Sequence, residues 1–491
     1  MNFLFSFLLS FATAFSSPDG KLVVKIEQTS EPKLLYSVEY CGQQMLSPSE
    51  LGLEGNFRDY SYLTFKSQTT EDIKTDYHLD RIKQSHVTKD AKRTIVRCET
   101  PDGHPLDIEW YVSNNDVAFR YNIIKDSETG SIRIMQEQTS FNFPEGTTTY
   151  LCPQSDAMVG WKRTKPSYEE YYKPGALLSE SSEFGHGYTF PCLFKIAGAG
   201  WVLVSETGVD SKYCGSRLGD YRKDAGYRIE FPMPEENNGN GTSEPAFSLP
   251  GSTAWRTITV GSDIAPIVET TIAFDVVEPK YESAHKYNFG KGTWSWILWQ
   301  DASINYDDQV KYIDLASAMN FQYCLIDNFW DTNIGRERME ELAKYARSRN
   351  VDLFLWYSSS GWWNDITQGP INIMSDHIAR KKEMRWLQSI GVKGIKVDFF
   401  GGDKQETMAM YENILSDADD CGLMVIFHGC TIPRGWERMY PNYVGSEAVR
   451  ASENLIFGQY ECDRESIHAS LYPYIRNTVG CMEFGGTFLN K

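Results

Sequence analysis

Short apolar runs alternate with longer amphipathic stretches along the second part of this chain, from about residue 281 onward. The apolar runs lie at 292–297, 323–327, 351–357, 394–400 and 423–428. Between them, apolar residues recur at helical spacing over 306–319, 336–349, 376–390 and 404–419. Alternation of this kind predicts a parallel β/α architecture.

Polar and aromatic residues follow nearly every one of these runs, whereas no Gly-rich phosphate loop follows any of them. This pattern favours a closed (β/α)8 barrel of the TIM type over a doubly wound sheet, because barrel active sites lie at the carboxyl ends of the strands. Six strands are predicted, the five runs above and one that ends near Glu447, with a seventh near 481–484 close to the end of the sequence. The barrel is therefore expected to be truncated near its last strand.

The first part of the chain, from about residue 17 to residue 274, has the pattern of β-strands throughout. Alternating runs such as 21–26, 94–97 and 118–123 recur between turn signals, without long helical stretches. About 250 residues of this pattern predict a large antiparallel sandwich. The predicted organisation is a sandwich domain over 17–278 and a barrel domain over 279–491.

The N-terminus is short and apolar and closes with Ala12-Thr13-Ala14. This pattern predicts a secretory signal over 1–16, with cleavage after about Ala14 and export to the periplasm or the extracellular space. No Lys or Arg precedes the apolar run, so a buried strand is the alternative. No other stretch reaches the ~18 apolar residues that a membrane helix requires.

Composition narrows the class of partner. The net charge of −18 argues against nucleic acids and anionic membranes, because both recruit basic patches. Aromatic residues make up 14% of the chain, and rings at strand ends would suit stacking against sugars. An oligosaccharide is therefore the expected partner, and a monomer is the favoured state.

Asp398 ends the apolar run Gly394-Ile395-Lys396-Val397-Asp398, where a barrel strand would open into its active-site loop. Lys396 lies two positions earlier and shares one face of the strand, because side chains alternate along a strand. A lysine in this position would favour an ionised aspartate, which a nucleophile requires. The alternative is a structural Lys–Asp pair.

Two further acids, Glu447 and Glu453, lie six residues apart near another predicted strand end. Two carboxylates facing one cleft are the minimum equipment for cleaving a glycosidic bond, and one of them must stay protonated to act as the acid. Charged surface residues are the alternative. Other strand ends carry Trp, Asp, Asn, His and Arg residues that suit a polyhydroxylated ligand; the candidates for substrate binding are Trp294, Asp327, Trp356, Lys396, His428 and Arg434.

A series of motifs extends this interpretation. Lys-Val-Asp-Phe-Phe-Gly-Gly-Asp at 396–403, Phe-His-Gly at 427–429, Pro-Arg-Gly-Trp at 433–436, Arg-Met-Tyr-Pro-Asn at 438–442 and Ser-Glu-Ala-Val-Arg at 446–450 resemble glycoside hydrolase family 97. The resemblance runs from about residue 17 to the end. It implies an N-terminal antiparallel β-super-sandwich, a (β/α)8 barrel and a calcium ion in the active site.

The resemblance also implies roles for individual residues. The inverting branch of the family has a glutamate base after the histidine of the fifth strand, and Gly429 stands there in this chain. The retaining branch uses an aspartate at the end of the fourth strand, which matches Asp398. The resemblance therefore implies Asp398 as nucleophile and Glu453 as acid/base. It implies Glu206, Glu447 and Glu453 as calcium ligands.

The function that follows is a retaining, exo-acting α-galactosidase that hydrolyses terminal α-galactosidic linkages. An α-glucosidase with the same machinery is one alternative. A non-catalytic glycan-binding protein is another.

Overall fold

The computed structural model describes residues 10–485, and its first part is an antiparallel β-sandwich. Twenty strands form three sheets in which every strand pair is antiparallel. A four-stranded sheet contains Ser10–Ser16, Leu22–Gln28, Leu34–Tyr40 and Gln43–Leu51. A three-stranded sheet contains Ala246–Ser248, Ser131–Glu137 and Leu53–Gly55.

The third and largest sheet has thirteen strands. Its main path runs through Ser140–Phe141, Tyr227–Glu230, Arg217–Leu218, Tyr188–Ile196, Gly200–Thr207, Trp255–Gly261, Asp116–Ile123, Pro105–Val112, His86–Glu99 and Thr64–His78. Thr148–Pro153, Lys173–Leu177 and Gly251–Ser252 pair beside this path. The short helices Ala265–Glu269 and Ile272–Asp275 follow the sandwich.

Aromatic side chains join the small four-stranded sheet to the large one. Phe15 and Tyr36 of the small sheet contact the ring of Trp110 in the large sheet at centroid distances of 5.5 and 5.7 Å. Trp110 stacks on Phe119 of the neighbouring strand at 4.5 Å. These side chains are buried because alternate residues of each strand face the partner sheet. The predicted antiparallel sandwich is confirmed.

The segment at the expected signal cleavage site is a strand. Ser10–Ser16 pairs with Leu22–Gln28, and Ala14 lies opposite Lys25. Cleavage after Ala14 would therefore divide a paired strand. The first nine residues of the predicted signal lie outside the described residues, so export stays a prediction.

The second part of the chain is a curled parallel sheet with helices packed against it. Its six strands follow one another in chain order: Gly292–Trp294, Tyr323–Ile326, Asp352–Ser358, Gly394–Asp398, Met424–Phe427 and Tyr443–Ser446. The long helices are Tyr306–Ala318, Arg336–Ser348, His377–Ile390, Gln405–Asp419 and Gln459–Leu471. The shorter ones are Trp296–Trp299, Trp330–Asn333 and Trp436–Met439. Among residues 10–485 no helix has the length and apolarity needed to cross a membrane.

The closed eight-stranded barrel is not formed by the described residues. The expected seventh run contributes one parallel bridge, between Ser446 and Met482. Within residues 10–485, the Gly292–Trp294 strand pairs on one side only. This strand is also shorter than expected, because Trp296 begins a helix instead of continuing it. The result is a half-barrel-like sheet.

Candidate active site

The carboxyl ends of the six parallel strands meet at one edge of the curled sheet. A cavity of about 470 Å³ opens there, lined by side chains from both domains. Asp327, Trp356, Lys396, Asp398, Glu447 and Glu453 all line it. Trp294 and His428 lie directly behind this lining and contact Asp327 and Glu447. Because parallel strands bring their carboxyl ends together, residues more than 100 positions apart share one site.

Asp398 is buried and is fixed by hydrogen bonding. The Trp356 indole donates from Nε1 to Asp398 Oδ2 at 3.0 Å, and Lys396 Nζ lies 3.8 Å from the same oxygen. Burial raises the pKa of Asp398 to about 7, Lys396 opposes this rise, and Glu453 adds to it. The place of Lys396 on the strand had suggested that this lysine would keep Asp398 ionised. Burial instead outweighs Lys396, and the pKa of Asp398 rises.

Lys396 is closer to Asp327. Its Nζ donates to Asp327 Oδ2 at 3.1 Å, and the Trp294 indole donates to the same oxygen at 2.8 Å. The lysine also lies over the Trp294 ring, 4.2 Å from its centroid. Burial works against the charge on Lys396, but the carboxylates of Asp327 and Asp398 raise its pKa above the ordinary value. The site therefore holds a fixed cation between two acids.

His428, Glu447 and Glu453 form the second half of the site, with ligand atoms within 4.8 Å of one another. The Gly429 amide donates to Glu447 Oε2 at 2.9 Å, and His428 Nδ1 lies 3.3 Å from this oxygen. Burial, followed by repulsion from Glu169 and Glu453, raises the pKa of Glu447 well above its ordinary value. Burial and Lys396 lower the pKa of His428, so its ring is neutral.

The other oxygen of Glu447 bears on whether the residues present suit a cation. Oε1 is buried and has no hydrogen-bond partner within the described part of the chain. Buried polar atoms are almost always paired, and crowded carboxylates with raised pKa values are stabilised by a positive charge. Carboxylate oxygens are the ligands that calcium prefers. The residues present therefore fit a calcium ion at Glu447 and Glu453, with His428 orienting Glu447.

The sandwich domain contributes an acid that the sequence interpretation missed. Glu169 lines the cavity from the segment between the Thr148–Pro153 and Lys173–Leu177 strands. Burial raises the pKa of Glu169 to about 7, and the charges on Glu453 and Asp398 contribute to this rise. Its local sequence, Ser167-Tyr168-Glu169-Glu170, has the composition of an exposed loop. Only the contact between domains gives it a place in the site.

Glu206 was predicted as a calcium ligand, and the structure contradicts this prediction. Its Oε1 accepts hydrogen bonds from Arg434 Nε at 2.6 Å and from the Ser216 amide at 2.8 Å. Its Oε2 accepts from the Ser216 hydroxyl at 2.5 Å and from Arg256 Nη1. Four donors satisfy the carboxylate, so no oxygen lone pair is left for a metal ion.

Arg434 was predicted to bind substrate, and this prediction is also wrong. The side chain is fully buried, away from the cavity lining. Its guanidinium donates to Glu206, to Asp403 Oδ2 at 3.0 Å and to the Tyr168 hydroxyl at 3.1 Å. Arg434 therefore joins the sandwich to the catalytic domain instead of facing a ligand.

Gly429 leaves room for Asp398. A Cβ atom at this position would lie 2.9 Å from Asp398 Oδ1 and 2.9 Å from the Phe399 amide nitrogen. The backbone of Gly429 also has a φ of +45°. Phe399 and Ala448, which follow Asp398 and Glu447 directly, adopt positive φ values of 67° and 40° without being glycine. Strained backbone of this kind is concentrated at functional sites.

Comparison with known proteins finds two relatives of similar sequence. The chain is similar to a "probable retaining alpha-galactosidase" of Streptomyces bingchenggensis, with 26% identity over 492 residues, covering 96% of this chain and 69% of the relative. It is equally similar to a "retaining alpha-galactosidase" of Bacteroides thetaiotaomicron, with 26% identity over 512 residues, covering 96% of this chain and 72% of that relative.

Two solved structures extend the comparison. One, described as a β-arabinopyranosidase, is 61% identical with a TM-score of 0.96, covering 98% of this chain and 76% of its own. The other is a glycoside hydrolase family 97 enzyme from Pseudoalteromonas sp. strain K8 in complex with panose. It is 18% identical with a TM-score of 0.79, covering 97% of this chain and 75% of its own, and shows the fold alone.

Family models match both domains. A model described as "Glycosyl-hydrolase 97 N-terminal" matches residues 15–279, and one described as "Glycoside hydrolase 97" matches residues 286–449. Together they span most of the chain, and so this protein belongs to glycoside hydrolase family 97.

Proposed function

We propose that this glycosidase is a retaining, exo-acting enzyme that removes a terminal β-L-arabinopyranosyl or α-D-galactopyranosyl unit, with Asp398 as nucleophile and Glu453 as acid/base. The observation that carries the proposal is the pairing of Asp398 with Gly429. The glycine keeps the space beside Asp398 Oδ1 free of a side chain from position 429. Asp398 is therefore the carboxylate placed to attack the anomeric carbon.

The relatives support this choice of sugar. The 61% identical structure is described as a β-arabinopyranosidase, and both 26% identical relatives are named retaining α-galactosidases. β-L-arabinopyranose has the ring configuration of α-D-galactopyranose and lacks only the hydroxymethyl group on C5. One pocket can therefore recognise both sugars through their shared hydroxyl groups. The much higher identity makes the arabinopyranoside the preferred substrate in this proposal.

The chemistry follows two displacements. Asp398 attacks the anomeric carbon while the bond to the leaving oxygen breaks. The leaving oxygen keeps the electron pair of that bond and receives a proton from Glu453. Glu453 then removes a proton from water, whose oxygen attacks the same carbon and releases Asp398. Burial raises the pKa of Glu453, although Lys396 opposes this rise, which suits a residue that must begin the reaction protonated.

Other residues of the chain orient these groups. Trp356 holds one oxygen of Asp398, and Lys396 with Trp294 holds Asp327 for a sugar hydroxyl. A calcium ion held by Glu447 and Glu453, with Glu169 beside them, would supply a positive charge next to the sugar.

The direct test combines a substrate panel with chemical rescue. Nitrophenyl β-L-arabinopyranoside, α-galactoside and α-glucoside separate the three sugars, and an α-glucosidase would cleave the last of them fastest. Asp398→Ala should abolish turnover, and azide should restore it on the galactoside, giving the β-galactosyl azide. Rescue that gives the α azide, or no rescue at all, would refute Asp398 as nucleophile.

Binding without turnover would support the glycan-binding alternative. Calorimetry with the free sugar and with an oligosaccharide, beside the activity assay, separates these outcomes. In that case the wild-type protein would bind the sugars and release no nitrophenol from any substrate in the panel.

A further inference from the structure

A line of aromatic rings leads from Asp398 to the mouth of the cavity. Trp356, which donates to Asp398, has its ring 5.9 Å from Phe399. Phe399 in turn lies 5.7 Å from Trp161 of the sandwich domain. Trp161 is 54% exposed and lines the same cavity. The line therefore ends on a large apolar ring in contact with solvent.

Two more rings stand at this mouth. Trp296 stacks on Trp294 at 5.7 Å with an interplanar angle of 15°, and its indole donates to Asp301 Oδ1 at 2.8 Å. Phe457 is 61% exposed and also lines the cavity. Exposed aromatic rings scattered singly need no explanation, but two exposed rings and the half-buried Trp296 around one cavity indicate a binding surface.

The position of Glu453 tells which end of the substrate these rings would meet. Glu453 and Phe457 belong to the same 3-10 helix, Ser452–Phe457. An acid that protonates the glycosidic oxygen lies between the sugar and its leaving group. In the proposed reaction Phe457 would therefore lie on the side of the leaving group, and Trp161 and Trp296 line the same cavity. The sugar itself would then lie in the part of the cavity lined by Asp327 and Asp398.

Trp161 is held in place across the domain boundary. Arg163, two residues later, donates to both oxygens of Asp365 in the catalytic domain, at 2.6 and 2.9 Å. Lys162 and Arg163 both have left-handed backbone conformations, with φ values of 51° and 58°. A bidentate pair and a constrained backbone fix this short segment, so the ring of Trp161 is preorganised.

We propose that Trp161, Trp296 and Phe457 form a subsite for the leaving group, selective for groups with a flat ring face. This inference rests on the proposed function. It adds the chemical class of the leaving group, from which the enzyme removes the sugar. The shared chemistry is an apolar ring face that stacks on indole or phenyl, and two sources supply it: a second sugar ring or an aryl group.

Three substrates with one sugar test the subsite: a methyl glycoside, a nitrophenyl glycoside and a disaccharide. Trp161→Ala should lower kcat/KM about tenfold for substrates with a ring in the leaving group, because a stacking contact is lost from the first step. The methyl glycoside has no ring to stack, so its kcat/KM should stay within about twofold of wild type. Trp161→Phe should retain most of the activity on ring substrates.

Trp362→Ala is the matched control, because Trp362 is 53% exposed and does not line the cavity. It should leave all three values unchanged. A loss by Trp161→Ala confined to nitrophenyl substrate assigns the site to aryl groups, and one confined to the disaccharide assigns it to sugars. An equal loss on the methyl glycoside, or no loss on any substrate, would overturn the inference while the wild type remains active. A wild type inactive on all three would refute the proposed function, and the subsite with it.

Discussion

At the scale of single residues, the site depends on which positions can hold a side chain at all. Gly429 lies against Asp398 and Phe399, and its φ is positive. An added Cβ would meet Asp398 Oδ1 at a distance that real Cβ atoms avoid. The glycine and the aspartate are therefore one unit, and a side chain at 429 displaces the proposed nucleophile.

Gly429→Ala tests this coupling. The variant should lower kcat by about 10- to 100-fold, because displacing a reacting group by a fraction of an ångström disrupts alignment with the substrate. KM should change much less. Gly335→Ala is the control, since Gly335 also has a positive φ of 79° but has open space where an added Cβ would lie. Unchanged kcat in Gly429→Ala would contradict the coupling.

Single residues also show what a sequence can predict. Asp327, Asp398, Glu447 and His428 each end or follow a parallel strand, as the apolar runs before them indicated, and Lys396 lies within the Gly394–Asp398 strand. Their roles in the site stay predictions. Glu206 and Arg434 were misplaced, because they pair with each other across the domain boundary, and the two residues are 228 positions apart in the sequence. Glu169 was missed because its loop has no periodic pattern.

At the scale of elements, long amphipathic helices were predicted within one residue at each end. The helix predicted over 306–319 is observed as Tyr306–Ala318, and the helix predicted over 404–419 is observed as Gln405–Asp419. The short helix Trp296–Trp299 was missed, because its four residues are apolar and aromatic and fit a strand equally well. Helix Gln459–Leu471 was missed too; it buries only His468 and so lacks an apolar face.

His428 and Glu447 follow two adjacent strands, and Glu453 lies close to both. Calcium bound at Glu447 and Glu453 should stabilise the folded protein. Calcium at about 100 times its Kd would add roughly 2.7 kcal/mol to the free energy of unfolding. Thermal unfolding with calcium and with a chelator measures this directly. Glu447→Gln should lose the difference, whereas Glu337→Gln, at an exposed helical position, should keep it. An undiminished calcium effect in Glu447→Gln would exclude this site.

At the scale of the whole molecule, a buried chain of ion pairs joins the two domains. Glu137 pairs with Arg256, Arg256 with Glu206, Glu206 with Arg434, and Arg434 with Asp403. The Tyr168 hydroxyl donates to Asp403, which places its neighbour Glu169 at the cavity. The domain interface thus positions an active-site acid.

Glu206→Gln should destabilise the protein by about 3–5 kcal/mol at neutral pH, because two buried guanidinium groups each lose one of their two carboxylate partners. Burial disfavours the charge on Glu206, but Arg434 and Arg256 hold its pKa below the ordinary 4.5. A carboxyl group whose pKa is lower in the folded state than in the unfolded state stabilises the folded protein at pH values above the unfolded pKa. This stabilisation is lost as pH falls through the folded pKa.

The difference in free energy of unfolding between wild type and Glu206→Gln should therefore stay constant from roughly pH 7 to about pH 4.5, and should shrink as pH falls below about 4.5. Glu278→Gln, which removes an exposed partner of Arg438, should change the free energy of unfolding by less than about 0.5 kcal/mol. A wild-type advantage that does not decline below about pH 4.5 would contradict the role of Glu206.

The central claim is that Asp398 carries a double displacement, and the anomer released first tests it most directly. Proton NMR of wild-type hydrolysis, recorded before the sugar mutarotates, identifies this anomer. From a nitrophenyl α-galactoside the account predicts α-galactose first, because two inversions retain configuration. Release of β-galactose first would show a single displacement and contradict the account.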